Sequence, residues 1–495
     1  MNTTTKSKHY SYISAIIFPL LLFSISPFQL TAQPPKSKAQ QIYALLKSYA
    51  AIKQFNGNVL VTQKGKIVFI KSYGDADFEL GVANNRQTRF RIGSITKQFT
   101  AVLIMQLREK GLVHLDSTIS TYLPWYAKET ASRITVRNLL SHTSGLANYT
   151  ARPDFFATLA LLNIPPREFA ANYCQYKDLS FEPGTKFFYC NTDYYLLGLI
   201  IEAVTGKSYA NALRENILKN ANMPNTGIDS IASLLANRAK GYNYTSEGYV
   251  NADPINMATS TYAAGAMYST VDDLLNWQTA LEGDGLLSAE SRQIFFTPVI
   301  GNHAFGLYIN KMKNGKTAIG HPGGINGFSS FLIRFKEDDI NVVLLDNSTT
   351  HKRGSLDNTG SAIYSILTDQ PFEMPKMPIT VVLTETYLDK GLQQMLKQYL
   401  EIKNDSSYSL AKSNNFLNDF GYSLLSSGKV KESLVVLKLA TEDDPKNANT
   451  LDSYAEALKT DRQFALSIDY YKKVLSLEPA NKRVEEEIKK LQEMK

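Results

Sequence analysis

Towards its C-terminus the 495-residue chain repeats itself. Leu417, Gly421, Leu424, Ser433, Leu434 and Pro445 recur as Leu451, Ala455, Leu458, Ser467, Ile468 and Pro479, each pair 34 positions apart. Small residues at fixed places among apolar ones, with a proline closing each unit, mark stacked helix pairs. Only small residues let two helices cross closely, and proline cannot continue a helix. Such units bury their core between neighbours, so this stretch is expected to fold as a helical array outside any globular core. Two units alone are marginal, and Thr384 to Lys403 and Lys482 to Lys495 are expected to cap them. Pro371, Pro375 and Pro378 mark a linker ahead of the array. The chain therefore reads as a globular domain over 40–368, a linker over 369–383 and a helical module over 384–495.

The globular part is long enough to bury a large core without help from disulfides or metals. The balance of 44% hydrophobic and 20% charged residues is that of a soluble protein. A net charge of +7 is small for this length and spread along the chain, and basic runs with interleaved aromatics are absent. Nucleic acid is therefore not an expected partner. The two cysteines, Cys174 and Cys190, and the six scattered histidines show no zinc spacing, so no metal and no cofactor is expected. The cysteines read as buried thiols, with a disulfide as the alternative in an oxidising compartment.

Residues 1–32 read as an export leader. Lys6 and Lys8 give a positive start, Ile13 to Ile25 a short apolar run, and Thr31-Ala32 a small residue before Gln33. Pro19 and Pro27 interrupt the run, which is too short for a comfortable membrane span. Leu30 is a poor residue three places before the cut, so an uncleaved anchor is the alternative. Either way the body of the protein is placed outside the cytoplasm, periplasmic or secreted.

Within the globular part, Gln41 to Ala51 is amphipathic. Asn58 to Thr62 and Lys66 to Tyr73 alternate as two strands around Gln63-Lys64-Gly65. Thr96 to Lys110 has helical spacing of Phe99, Val102, Leu103 and Leu107. Strand patterns return at Ala304 to Asn310, Phe328 to Phe335 and Asn341 to Asp346. Two early and three late strands predict an α+β fold: one antiparallel sheet built from both ends of the domain and flanked by helices. The middle forms a helical lobe, and a cleft between two such lobes is a common place for an active site.

One helix start carries chemistry. Serine is a weak nucleophile until a neighbouring base takes its proton. Ser94-Ile95-Thr96-Lys97 puts hydroxyl and amine on one helical face. The spacing alone is weak, arising about twice by chance in such a chain, and Ser409-Leu410-Ala411-Lys412 and Ser426-Ser427-Gly428-Lys429 share it. Only Ser94 sits at the start of a helical pattern, where backbone N–H groups favour a negative oxygen.

Phe90-Arg91-Ile92-Gly93-Ser94-Ile95-Thr96-Lys97-Gln98-Phe99-Thr100 resembles the nucleophile segment of β-lactamase-related serine hydrolases. That group includes class C β-lactamases, D-Ala-D-Ala carboxypeptidases, D-aminopeptidases and esterases. Leu139-Leu140-Ser141-His142-Thr143-Ser144-Gly145, Phe188-Tyr189-Cys190-Asn191 and Gly320-His321-Pro322-Gly323-Gly324-Ile325-Asn326-Gly327-Phe328 resemble three further family segments, in the family's order. The resemblance implies a penicillin-binding-protein-like fold over roughly residues 40 to 368. It implies Ser94 as the acylated nucleophile, Lys97 as the group that activates it and Tyr189 as a proton relay. Tyrosine can relay protons only where nearby cations depress its pKa from about 10. Asn191 would orient the substrate and Lys97, and the N–H groups of Ser94 and Gly324 would form the oxyanion hole. His321, Gly323 and Gly324 would line the substrate side. The helical array, in turn, is similar to tetratricopeptide repeats.

His321 stands where β-lactamases usually carry lysine, and Pro322 removes a neighbouring hydroxyl. A carboxylate-bearing substrate would lose a permanent cation and one donor. The expected activity is thus an esterase or a D-amino-acid peptidase or amidase acting on a small ester, amide or peptide, with a protein partner on the repeats. A β-lactamase or D-Ala-D-Ala carboxypeptidase, and a catalytically silent binding protein, stay open at this point. His142 is expected to order its loop. Tyr149, Phe155, Phe156, Tyr262 and Tyr268 are expected mostly in the core of the helical lobe, with cleft lining as the alternative. Ala264-Gly265 resembles another family segment but identifies no chemistry.

Overall fold

Seven antiparallel strands draw sequence from both ends of the globular part into one sheet. They are β1 (Gly57–Gln63), β2 (Lys66–Ser72), β3 (His303–Ala304), β4 (Leu307–Lys311), β5 (Thr317–Ile325), β6 (Phe328–Phe335) and β7 (Ile340–Asp346). Their spatial order is β3-β4-β5-β6-β7-β1-β2, so β1 closes against β7 with Leu60 opposite Val343. The computed structural model describes residues 37–349, 355–409 and 416–493. The leader reading for residues 1–32 lies outside them.

Strand periodicity sorts side chains into two layers. Val59 and Val61 of β1, with Ile340, Val342 and Leu344 of β7, face α1 (Lys38–Ala51) and the helix Ser355–Leu367. Leu60, Val343 and Leu345 face the opposite way, into the helical lobe. A strand covered on both faces needs a continuous apolar run, which Val342-Val343-Leu344-Leu345 supplies. Each fully buried aliphatic chain here contributes roughly 1.5–3 kcal/mol.

The predicted strand over Ala304 to Asn310 is split at Gly306 into β3 and β4, and β5 is a strand that the sequence pattern does not announce. In the lobe, α2 (Thr96–Glu109) buries eleven of its fourteen residues. It contacts α3 (Asn191–Thr205) and the short helix Tyr262–Gly265. An all-round buried helix carries its polar residues into the interior with it.

The C-terminal region is helical. Its first helix, α4 (Ile379–Ile402, broken at Gly391), begins inside the stretch read as linker. Then come α5 (Phe416–Ser426), α6 (Val430–Asp443), α7 (Ala448–Thr460), α8 (Phe464–Leu477) and α9 (Lys482–Glu493). Ser433 Oγ donates to Gly421 O, and Ser467 Oγ donates to Ala455 O, both at 2.7 Å. These bonds are 34 positions apart, and a side chain at Gly421 would meet Leu437 Cγ at 2.6 Å.

This region touches the globular part at the hairpin Tyr242–Thr245/Gly248–Asn251. Ser246 at its tip is 2% exposed, its Oγ 2.8 Å from Ser423 Oγ, and Lys429 reaches Glu247 at 3.5 Å.

Candidate active site

Ser94 lies in a single 3-10 turn, Gly93–Ile95, that runs directly into α2. The turn is pressed against β5. Gly93 has φ +49, and a Cβ there would stand 2.8 Å from Gly324 N. Only glycine accepts both the left-handed conformation and that approach. Gly323 is held as closely, since a Cβ on it would meet Ile92 O at 2.1 Å. The edge of β5 at Gly324 is thereby held beside the nucleophile.

Lys97, one turn on, is 0% exposed. Its Nζ donates to Asn191 Oδ1 and Ala264 O, both at 2.8 Å, and lies 3.1 Å from Ser94 Oγ. A buried amine needs such partners to offset its desolvation. Tyr189 comes from the loop before α3, and its OH is 2.7 Å from Ser94 Oγ. Lys97 Nζ sits 4.8 Å from the Tyr189 ring centroid. Asn191 opens α3, so the Tyr-x-Asn spacing sets a loop residue and a helix-start residue side by side.

His142 packs its ring 4.5 Å from that of Tyr189. Its Nδ1 accepts from Cys190 N–H at 3.2 Å and lies 3.2 Å from Asp193 Oδ2. Burial, together with the nearby Lys97, holds the His142 pKa well below the ordinary range, and burial pushes the Asp193 carboxyl well up. Both shifts favour the neutral form of each group. Ser144 Oγ donates to Asp193 Oδ1 at 2.5 Å. His142 orders its loop, as expected, and stands directly behind Tyr189.

His321 does not face the cleft. It is 5% exposed, its Nδ1–H donates to Pro322 O, and its ring lies 4.9 Å from that of Tyr308 and 6.0 Å from that of Tyr189. Two histidines far apart in sequence, His142 and His321, thus flank Tyr189, while His303 stacks on Phe187 at 3.3 Å and lies 4.5 Å from the Tyr308 ring.

The cleft above Ser94 holds ≈ 320 Å³. Gly324, Asn191, Asn243 and Asn326 line it with the aromatic rings of Tyr149, Phe155 and Phe156. Phe156 is 51% exposed there, whereas Tyr262 is buried in the lobe. Cys174 and Cys190 are free, buried thiols.

Sequence reasoning missed two groups. Ala264 O holds Lys97 through a backbone atom that no side-chain pattern reports; the family-like Ala264-Gly265 segment is its only trace. Asn148 and Thr150 support Asn191, and their only signal is two short polar side chains flanking Tyr149.

A serine bonded to a buried lysine, a tyrosine on the same oxygen and a strand edge beside it define a penicillin-binding-protein-like class of protein. Residues 45–364 match the family model described as Beta-lactamase, and the chain belongs to that family. Penicillin-binding protein 4* of Bacillus subtilis is 28% identical over 365 residues, spanning 69% of this chain and 79% of the relative. The teichoic acid D-alanine hydrolase of Staphylococcus aureus is 30% identical over 313 residues, 62% of this chain and 73% of the relative. Among solved structures, a penicillin-binding protein from Bacillus halodurans superposes with a TM-score of 0.59 at 26% identity. It covers 65% of this chain and 98% of its own.

Proposed function

We propose that the chain is a serine hydrolase that cleaves small esters and amides, D-aminoacyl ones among them, through an acyl-enzyme on Ser94. The observation that carries this reading is a single oxygen, Ser94 Oγ, within hydrogen-bond reach of both Lys97 Nζ and Tyr189 OH. With two of its valences directed at Asn191 Oδ1 and Ala264 O, the Lys97 amine turns a third towards Ser94. That third valence is an N–H if the amine is charged, and Tyr189 then takes the serine proton. It is a lone pair if the amine is neutral, and Lys97 then takes it.

Oγ bonds to the substrate carbonyl carbon as its proton leaves. The oxygen that becomes negative is held by the N–H groups of Ser94 and Gly324, a contribution of about 3 kcal/mol per donor in comparable sites. Collapse breaks the bond to the leaving alcohol or amine, which takes the proton back. Water then repeats the sequence and frees Ser94.

A cleft of ≈ 320 Å³ suits a small acyl group. The D-alanine hydrolase among the relatives supports D-aminoacyl substrates. His321 replaces a permanent cation and packs beside Tyr308 and Tyr189, which argues against efficient β-lactam hydrolysis. The serine bonds repeated at 34 positions support a tetratricopeptide-type module over 384–495, which we assign to a protein partner. The leader-like start supports action outside the cytoplasm.

The test is a screen of p-nitrophenyl esters, D-amino-acid amides and a chromogenic cephalosporin, each beside Ser94→Ala. Esters or amides should turn over and the cephalosporin should not. A cephalosporin rate equal to the ester rate would overturn the substrate assignment.

A further inference from the structure

The orientation of the Asn191 amide follows from its neighbours. Asn148 Oδ1 accepts two backbone N–H groups, Asn191 N at 3.1 Å and Thr150 N at 3.4 Å. A backbone N–H can only donate, so this atom is the oxygen of the Asn148 amide. Thr150 Oγ1 is 3.0 Å from the same oxygen and must donate its one proton there. With that proton committed, Thr150 Oγ1 can only accept from Asn191, 2.9 Å away. The Asn191 atom beside it is therefore Nδ2, and the atom left to face Lys97 at 2.8 Å is Oδ1.

We propose that Thr150 is a positioning residue of this hydrolase: its hydroxyl locks the Asn191 amide so that Lys97 meets an oxygen and keeps its remaining valence on Ser94. The proposal rests on the reading of Ser94 as nucleophile. A flipped amide would set an NH2 against the Lys97 amine, donor against donor. Lys97 would lose Asn191 Oδ1 as an acceptor while keeping Ala264 O, and the amine would drift from Ser94 Oγ. Thr150 achieves this without touching the amine, through a relay that runs Asn148, Thr150, Asn191, Lys97.

The relay sits among titratable groups. The Tyr189 and Tyr194 rings lie 4.8 and 5.6 Å from Lys97 Nζ, His142 and Asp193 are coupled to it electrostatically, and His321 lies beyond Tyr189. All of these stay in place when only the Thr150 hydroxyl is removed.

The full-length chain carrying Thr150→Val, Thr150→Ala or Thr150→Ser tests the relay. The readouts are ester turnover, its pH profile and fluorophosphonate labelling of Ser94. Valine keeps the branched shape and loses the hydroxyl, and alanine loses both. Both should lower kcat by about tenfold or more, the size of one hydrogen bond to a charged group, with KM changed less than about twofold. The limb of the kcat/KM profile that belongs to Lys97 should move to lower pH by about half a unit or more, because the charged amine has lost an acceptor. Thr150→Ser should rescue both. In an Asn191→Ala background, Thr150→Val should add nothing, since Thr150 acts only through Asn191. Wild-type rate and profile in Thr150→Val and Thr150→Ala, failure of serine to rescue, or an undiminished loss in the Asn191→Ala background would each overturn the relay. Absence of labelling at Ser94 in the wild type would instead overturn the hydrolase reading itself.

Discussion

Asp346 ends β7 opposite Gly57 and Ser329, where the sheet approaches the cleft. It is fully buried, and Ser348 N–H and Oγ donate to its Oδ1 at 2.7 and 2.9 Å. Burial outweighs these donors and pushes the carboxyl from an ordinary 3.8 up to about 7. A raised carboxyl favours the folded state only while it is protonated. Its contribution is complete below the unfolded pKa and is lost as pH rises through the folded one. At 1.36 kcal/mol per unit, the whole effect is about 4 kcal/mol, of which about 3 kcal/mol falls between about pH 5 and about pH 8. Asp346→Asn keeps an oxygen for Ser348 and cannot titrate. Denaturant unfolding of both chains at the two pH values isolates this group from every other titration. The stability of the asparagine chain relative to wild type should improve by about 3 kcal/mol on going to the higher pH. A difference that holds constant, or moves the other way, would refute the burial argument.

Tyr189→Phe keeps the ring against His142 and removes the hydroxyl from Ser94 Oγ. Ester turnover should fall by roughly 10² to 10⁴, the range for a general acid–base group, and a near-neutral effect would leave Lys97 as the base. A chain ending at Asp369 loses the C-terminal contacts with the hairpin tip at Ser246 and Glu247, which are polar and lie away from Ser94. Small-ester kcat and KM should stay within about twofold, since these few polar contacts involve none of Ser94, Lys97 and Tyr189. A several-fold change in KM would mean that the hairpin carries the docking of the helical region to Asn243 in the cleft.

Much of this could be read from the chain. The i, i+3 spacing of Ser94 and Lys97 needs only a helix to become a contact. The strand–turn–strand around Lys64-Gly65 is set by local turn chemistry. The repeat at 34 positions shows itself through Leu, Gly and Ser alone. Other features depend on distant partners. Strand β5 contains Gly320-His321-Pro322-Gly323-Gly324, which has no alternation and poor strand propensity. It is extended because β6 pairs with it along its length and the Gly93 turn needs a flat edge beside it. His321 is recognisable by position, but its turn towards Tyr308 is decided by packing. The placing of His142 and His321 beside Tyr189, and of the Ala264 carbonyl beside Lys97, brings together segments far apart in sequence, and a backbone acceptor leaves no mark in the residue types.

Intact-protein mass spectrometry after fluorophosphonate or slow-ester treatment tests covalent chemistry at Ser94. Wild type should gain one adduct, mapped by peptide digestion to Ser94. Ser94→Ala should gain none and lose nearly all turnover while unfolding at the wild-type denaturant midpoint. An adduct on another residue, or Ser94→Ala retaining more than about a tenth of wild-type turnover, would contradict the account.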